Sequence, residues 1–60
     1  MKSIRIVIEQ QPELYDELIE AMMTHSQYQG CYVVQYSETR EGGQTVARFI
    51  LRESGANQTG

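Results

Sequence analysis

Cys31-Tyr32-Val33-Val34-Gln35-Tyr36-Ser37-Glu38-Thr39-Arg40 and Gln44-Thr45-Val46-Ala47-Arg48-Phe49-Ile50-Leu51-Arg52-Glu53 decide the fold. Both runs carry β-branched and aromatic residues, and Gly42-Gly43 between them suits a two-residue hairpin loop, where positive φ is needed at both positions. That loop sets a register in which Val34 faces Leu51 and Tyr36 faces Phe49, while Val33 faces Arg52 and Ser37 faces Arg48. One sheet face is then a core. The other mixes apolar side chains with arginines and finds no cover within the chain. Residues 45–53 also place Val46, Phe49 and Ile50 at helical spacing, with Gly55 as a stop. The hairpin register, which pairs like with like, favours the strand.

Upstream, Ser3-Ile4-Arg5-Ile6-Val7-Ile8-Glu9 alternates with the period of a half-buried strand, Ile4, Ile6 and Ile8 on one side. Pro12 and the acids Glu13, Asp16 and Glu17 then mark a helix start, and a helix is predicted from Pro12 to about Ser26. Its apolar side collects Leu14, Tyr15, Leu18, Ile19, Met22 and, at the margin, His25; its back collects Glu13, Asp16, Glu17 and Glu20. It frays toward a stop near Gly30. The expected fold is α+β, in the order β-α-β-β, with one amphipathic helix on a three-stranded sheet that ends in a C-terminal hairpin. Residues 1–53 form the domain and 54–60 a flexible tail. If the first two strands are parallel neighbours, their connection crosses right-handed.

Sixty residues are few for a self-sufficient core. A single cysteine excludes an internal disulfide, and Cys31 with His25 falls short of a zinc site, so no cofactor or metal is expected and self-association is the common remaining support. The net charge of -3 opposes general polyanion binding. The start shows no apolar leader segment and no run approaches a membrane span, which gives a soluble, cytoplasmic reading without a membrane partner.

His25 and Cys31 are the one pair that could supply a base and a thiol nucleophile, and they show none of the supporting geometry of a cysteine enzyme. The carboxylates lie on an open helix back where nothing separates their pKa values. A non-enzymatic role is therefore expected. Tyr28 and Tyr32 put aromatic surface in the helix-to-strand connection, suited either to a contact or to closing the core.

Ser3-Ile4-Arg5-Ile6-Val7-Ile8 followed by Pro12-Glu13-Leu14-Tyr15 resembles the strand and first helix of ribbon-helix-helix repressors, which read DNA with paired strands of a dimer. The likeness covers under half of the chain, and that family needs a second helix where Cys31 to Tyr36 reads as strand. The strand-helix-strand-strand order is similar to that of small tautomerases, whose chemistry uses an amino-terminal proline; here Met1 is followed by Lys2, so that chemistry has no residue to rest on.

The expected function is that of a small regulatory or inhibitory protein acting through a protein partner or as a homodimer. Small acidic single-domain proteins of mobile elements often act so, an analogy of size and charge. The expected contact set is Arg5, Val7, Val33, Arg48, Ile50 and Arg52, with Glu13, Asp16, Glu17 and Glu20 as second choice. The alternative is a dimeric nucleic-acid-binding regulator of repressor type, with Lys2, Arg5, Arg48 and Arg52 on phosphates.

Overall fold

The computed structural model describes residues 1–54. Strand β1 (Lys2–Val7), helix α1 (Pro12–Thr24) and strands β2 (Cys31–Glu41) and β3 (Gln44–Glu53) follow in that order. The helix packs on a three-stranded sheet in the order β1-β3-β2, so the fold is α+β. Residues 44–53 are strand, not helix. Both pairings are antiparallel, and β1 and β2 are not neighbours, because β3 lies between them. Composition explains the placement. Val46, Ala47, Phe49 and Leu51 of β3 are buried, whereas β2 beyond Tyr36 is Ser-Glu-Thr-Arg-Glu and exposed, as suits an edge.

Gly42 and Gly43 have φ of 58° and 82°, the left-handed pair that a tight hairpin turn requires. Tyr36 pairs with Phe49 and Ser37 with Arg48, as the loop predicts. Nearer the start of β2 the register slips, because a bulge between Val33 and Gln35 makes Val34 an extra residue. Val33 now pairs with Leu51 and Tyr32 with Arg52. A slip of one residue exchanges the two faces, so the expectation for both valines is reversed. Val33 packs against the core, and Val34, assigned there from sequence, is 50% exposed.

The buried cluster is Ile6, Leu18, Cys31, Ala47, Phe49 and Leu51, with Ile4, Ile8, Leu14, Tyr15, Ile19, Tyr28, Val33 and Tyr36 packed around it. Phe49 sits fully buried, its ring 4.9 Å from that of Tyr36 and 6.2 Å from that of Tyr15, both tilted. Burying one such side chain contributes about 1.5–3 kcal/mol. On the helix, Ala21 is buried as well, a position that the apolar stripe alone did not mark.

α1 starts with Pro12 at its first turn and ends at Thr24, short of Ser26. His25 takes a left-handed conformation, φ 57°, and ends the helix in the place usually held by glycine. The Ser26 amide donates to the Ala21 carbonyl at 2.9 Å and the His25 amide to that of Met22 at 3.4 Å. Gly30 is therefore not the helix stop. With Gln29 (φ 51°) and its own φ of 80°, it makes a second tight turn, across which Tyr28 and Cys31 exchange both backbone bonds, at 2.7 and 3.0 Å. Ser54, assigned to the tail, donates its amide to the Gly30 carbonyl at 3.1 Å, and the rest of that expected tail lies outside the described residues.

Beyond β1, the Ile8 amide donates to the Thr45 carbonyl at 3.0 Å, and the Thr45 amide donates to both oxygens of the Glu9 carboxylate, at 3.0 and 3.2 Å. This bond sets the parity of β1. Its even-numbered residues aim their backbone groups at β3, and Ser3, Arg5 and Val7 aim theirs away from the sheet.

Candidate interaction surface

Strand alternation puts Arg5 and Val7 of β1, Val46, Arg48, Ile50 and Arg52 of β3, and Tyr32, Gln35, Ser37, Thr39 and Glu41 of β2 on the face away from α1. Of the contact set expected from sequence, the structure brings together Arg5, Val7, Arg48, Ile50 and Arg52. Val33 leaves it for the core side, because the bulge turns it over. The same slip brings in Tyr32, 38% exposed, which the sequence offers both as the second residue of a strand and as aromatic surface beside the helix-to-strand connection.

The face is not uniform. Arg5 and Arg48 are directly opposed across β1 and β3, a pairing of like charges that is unfavourable by itself. Arg5 resolves it by reaching to Glu41 on β2, Nη2 to Oε1 2.9 Å. Since β3 lies between those strands, the ion pair spans it. Arg5 is level with Arg48 and Glu41 with Gln44, so the bridge crosses at the level of Val46. Val46 is accordingly only 5% exposed on a face with no helix over it. Both charged side chains remain half exposed, which limits the pair to about 0–1 kcal/mol; its more evident effect is to cover an apolar residue.

At the other end no such closure exists. Arg48 and Arg52 have no carboxylate within ion-pair distance among the described residues. Ile50, between them along β3, is half-buried, and Tyr32 lies opposite Arg52. The Tyr32 hydroxyl accepts a long bond from Gln27 Nε2, 3.4 Å. This end combines two free guanidinium groups, an aliphatic side chain and a phenol.

The second-choice surface is intact as a surface: Glu13, Asp16, Glu17 and Glu20 are all exposed on the back of α1. Glu17 and Glu20 border an open groove of about 190 Å³ with Ala21, Thr24, Ser26, Gln27 and Tyr28. Thr24 ties its edge together, its hydroxyl donating to the Glu20 carbonyl at 2.8 Å and sharing a hydrogen bond with Ser26 at 2.8 Å.

Cys31 is a free thiol, 4% exposed within the core cluster, whereas His25 is exposed. Among the described residues no group of three or more His, Cys, Asp or Glu could hold a metal ion, and no helix is long and apolar enough to cross a membrane.

Among the described residues two polar groups have shifted titration. Tyr36 is raised far above its ordinary 10.0, first by burial and then by donating its hydroxyl to Glu38 and sharing a bond with the Tyr15 hydroxyl at 3.3 Å. Glu9 is lowered from 4.5, chiefly because its carboxylate accepts the Thr45 amide. Neither belongs to the open face: Tyr36 lies on the core side, and Glu9 fastens β1 to the start of β3.

No protein-family model, curated protein or solved structure matches the chain.

Proposed function

We propose that this chain is a small non-enzymatic regulatory or inhibitory protein that works by occupying a surface on a protein partner. The observation that carries the reading is the unequal sheet face. Its Val46 end is sealed by the Arg5–Glu41 bridge, whereas at its Ile50 end Arg48 and Arg52 meet no carboxylate among the described residues. Arginine and tyrosine around an aliphatic centre are the residue types that dominate binding energy in protein interfaces. The partner chemistry that fits is an acidic rim around a small apolar contact, since guanidinium groups bind carboxylates in a two-pronged geometry.

The test is affinity capture from the native cell with the wild-type chain and with Arg48→Glu/Ile50→Ser. A protein that co-purifies with the first and is lost with the second supports the reading. Retention of the partner, and of the biological effect, by the double variant refutes it.

A dimeric nucleic-acid-binding regulator is the second reading, favoured by the opposed pair Arg5 and Arg48 with Arg52 on the same face. Arg5 is already neutralised by Glu41, which leaves fewer free charges for phosphates. That reading requires affinity to fall steeply with salt and to drop in Arg48→Ala; a flat salt response excludes it.

A further inference from the structure

The two outer edges of the sheet differ. β2 is blunted by the Val34 bulge and by Glu38, Arg40 and Glu41, devices that keep other strands away. β1 has no bulge and no proline. Its outward backbone groups at Ser3 and Arg5, and the Val7 amide, have no partner among the described residues. The Val7 carbonyl is already taken, accepting the Gln10 and Gln11 amides at 2.9 and 3.0 Å.

We propose that β1 pairs, antiparallel and through this edge, with β1 of a second copy, with Ile4 opposite Ile4 at the two-fold axis. This inference does not rest on the function proposed above. The register follows from parity and charge. Only odd-numbered residues present outward groups, so the bonded pairs must join odd to odd. With Ile4 on the axis, Ser3 of one copy exchanges both backbone bonds with Arg5 of the other. Val7 then faces Met1, and Ile6 faces Lys2. Sliding by two residues in one direction puts Arg5 opposite Arg5, a like-charge pair; sliding in the other puts both Ile4 side chains opposite Lys2 and so separates the two isoleucines. In the chosen register no like charges face each other.

Side-chain exposure fits the same arrangement. Met1 is 85% exposed and Val7 is half-buried, both on the open face, and pairing sets each against the other. On the helix side the two half-buried Ile4 side chains meet. The Arg5 guanidinium is held across β3 by Glu41, which keeps it off the outer edge. The product is one continuous sheet whose two open faces lie side by side, presenting the Arg48, Ile50 and Arg52 end of each copy.

Sedimentation velocity over a dilution series reads the association. The wild-type chain is expected to dimerise reversibly. Ser3→Pro removes an outward amide from each copy without touching the bonds to β3, and is expected to weaken the dimer roughly thirtyfold, equivalent to about 2 kcal/mol at 1.4 kcal/mol per decade. A second pair of variants decides the register even if the proline disturbs folding. Ile4→Cys should form an intermolecular disulfide on mild oxidation, being opposite itself; Ser3→Cys, being opposite Arg5, should not. A wild-type chain that stays monomeric at every concentration overturns the proposal. So does a dimer that a folded Ser3→Pro leaves unchanged, or cross-linking of Ser3→Cys as readily as Ile4→Cys. Arg48→Glu/Ile50→Ser should leave the dimer intact, so loss of partner capture in that variant is a separate result.

Discussion

His25→Gly should stabilise this protein, against the usual direction of a point mutation. His25 ends α1 at φ 57° and is exposed, and what fixes the helix end is its backbone: its own amide to Met22 and that of Ser26 to Ala21. Glycine can make both bonds. Holding a residue with a Cβ in the left-handed region costs about 1–2 kcal/mol, which glycine avoids. Glycine also gives the unfolded chain more freedom, which takes back about 0.4–1 kcal/mol. The net gain centres on about 0.8 kcal/mol, within a range of about 0–1.6, which is roughly 3–6 °C in Tm for a domain of this size. Thermal unfolding followed by circular dichroism measures it, with His25→Ala as control. Alanine keeps the Cβ and so keeps the strain, and no comparable gain is expected from it. If alanine stabilises as much as glycine, the effect belongs to the imidazole and not to the backbone. If glycine lowers Tm, strain at the helix end is the wrong account.

Three further outcomes follow from the packing and the titrations. Phe49→Ala should abolish cooperative unfolding, since its cost of about 3–5 kcal/mol matches the ~3–5 kcal/mol that a core of this size supplies; a cooperative melt near the wild-type Tm would contradict the central place given to that ring. The depressed Glu9 carboxyl contributes stability that is present above its unfolded value and lost as pH falls from about 4.5 through the folded value. Denaturant titrations in acid should show Glu9→Gln to be less sensitive to pH there than wild type, and identical acid limbs would refute the Thr45 bond as its cause. Tyr36 is raised, so between its ordinary value of 10.0 and the folded one the unfolded chain has released a proton that the native state keeps, and stability falls as pH rises above 10. In Tyr36→Phe that alkaline decline should be shallower; an unchanged alkaline limb would count against the burial argument.

The hairpin was legible because its loop chemistry and apolar pattern agree, and Tyr36 and Phe49 pair as their spacing from Gly42-Gly43 requires. The bulge was not, because Val33 and Val34 are equally apolar and either could face the core. One signal was present: Cys31, Val33 and Tyr36 keep a two-residue step and then break it by one, which is the mark of an extra residue. The helix end was misplaced because glycine is the common left-handed stop and His25 does that work here. Strand order was open for another reason. Chain order suggested neighbours, but the burial of alternating and adjacent residues along β3 decides which strand is central. In the candidate surface, the alternation of Arg48, Ile50 and Arg52 could be read directly. The cover over Val46 depends on a contact between residues 36 apart, which no local pattern contains.

The central position of β3 also bears on how the chain is made. Synthesis delivers β1, α1 and β2 first, and none of these strands has its sheet partner until β3 emerges. No strand pair of the sheet can form before β3 emerges; its pairing with β2 is then a local hairpin, whereas its pairing with β1 closes at long range. A premature stop ahead of Gln44 would leave two unmated strands and a helix without its sheet, a product for proteolysis and not a shortened version of the protein.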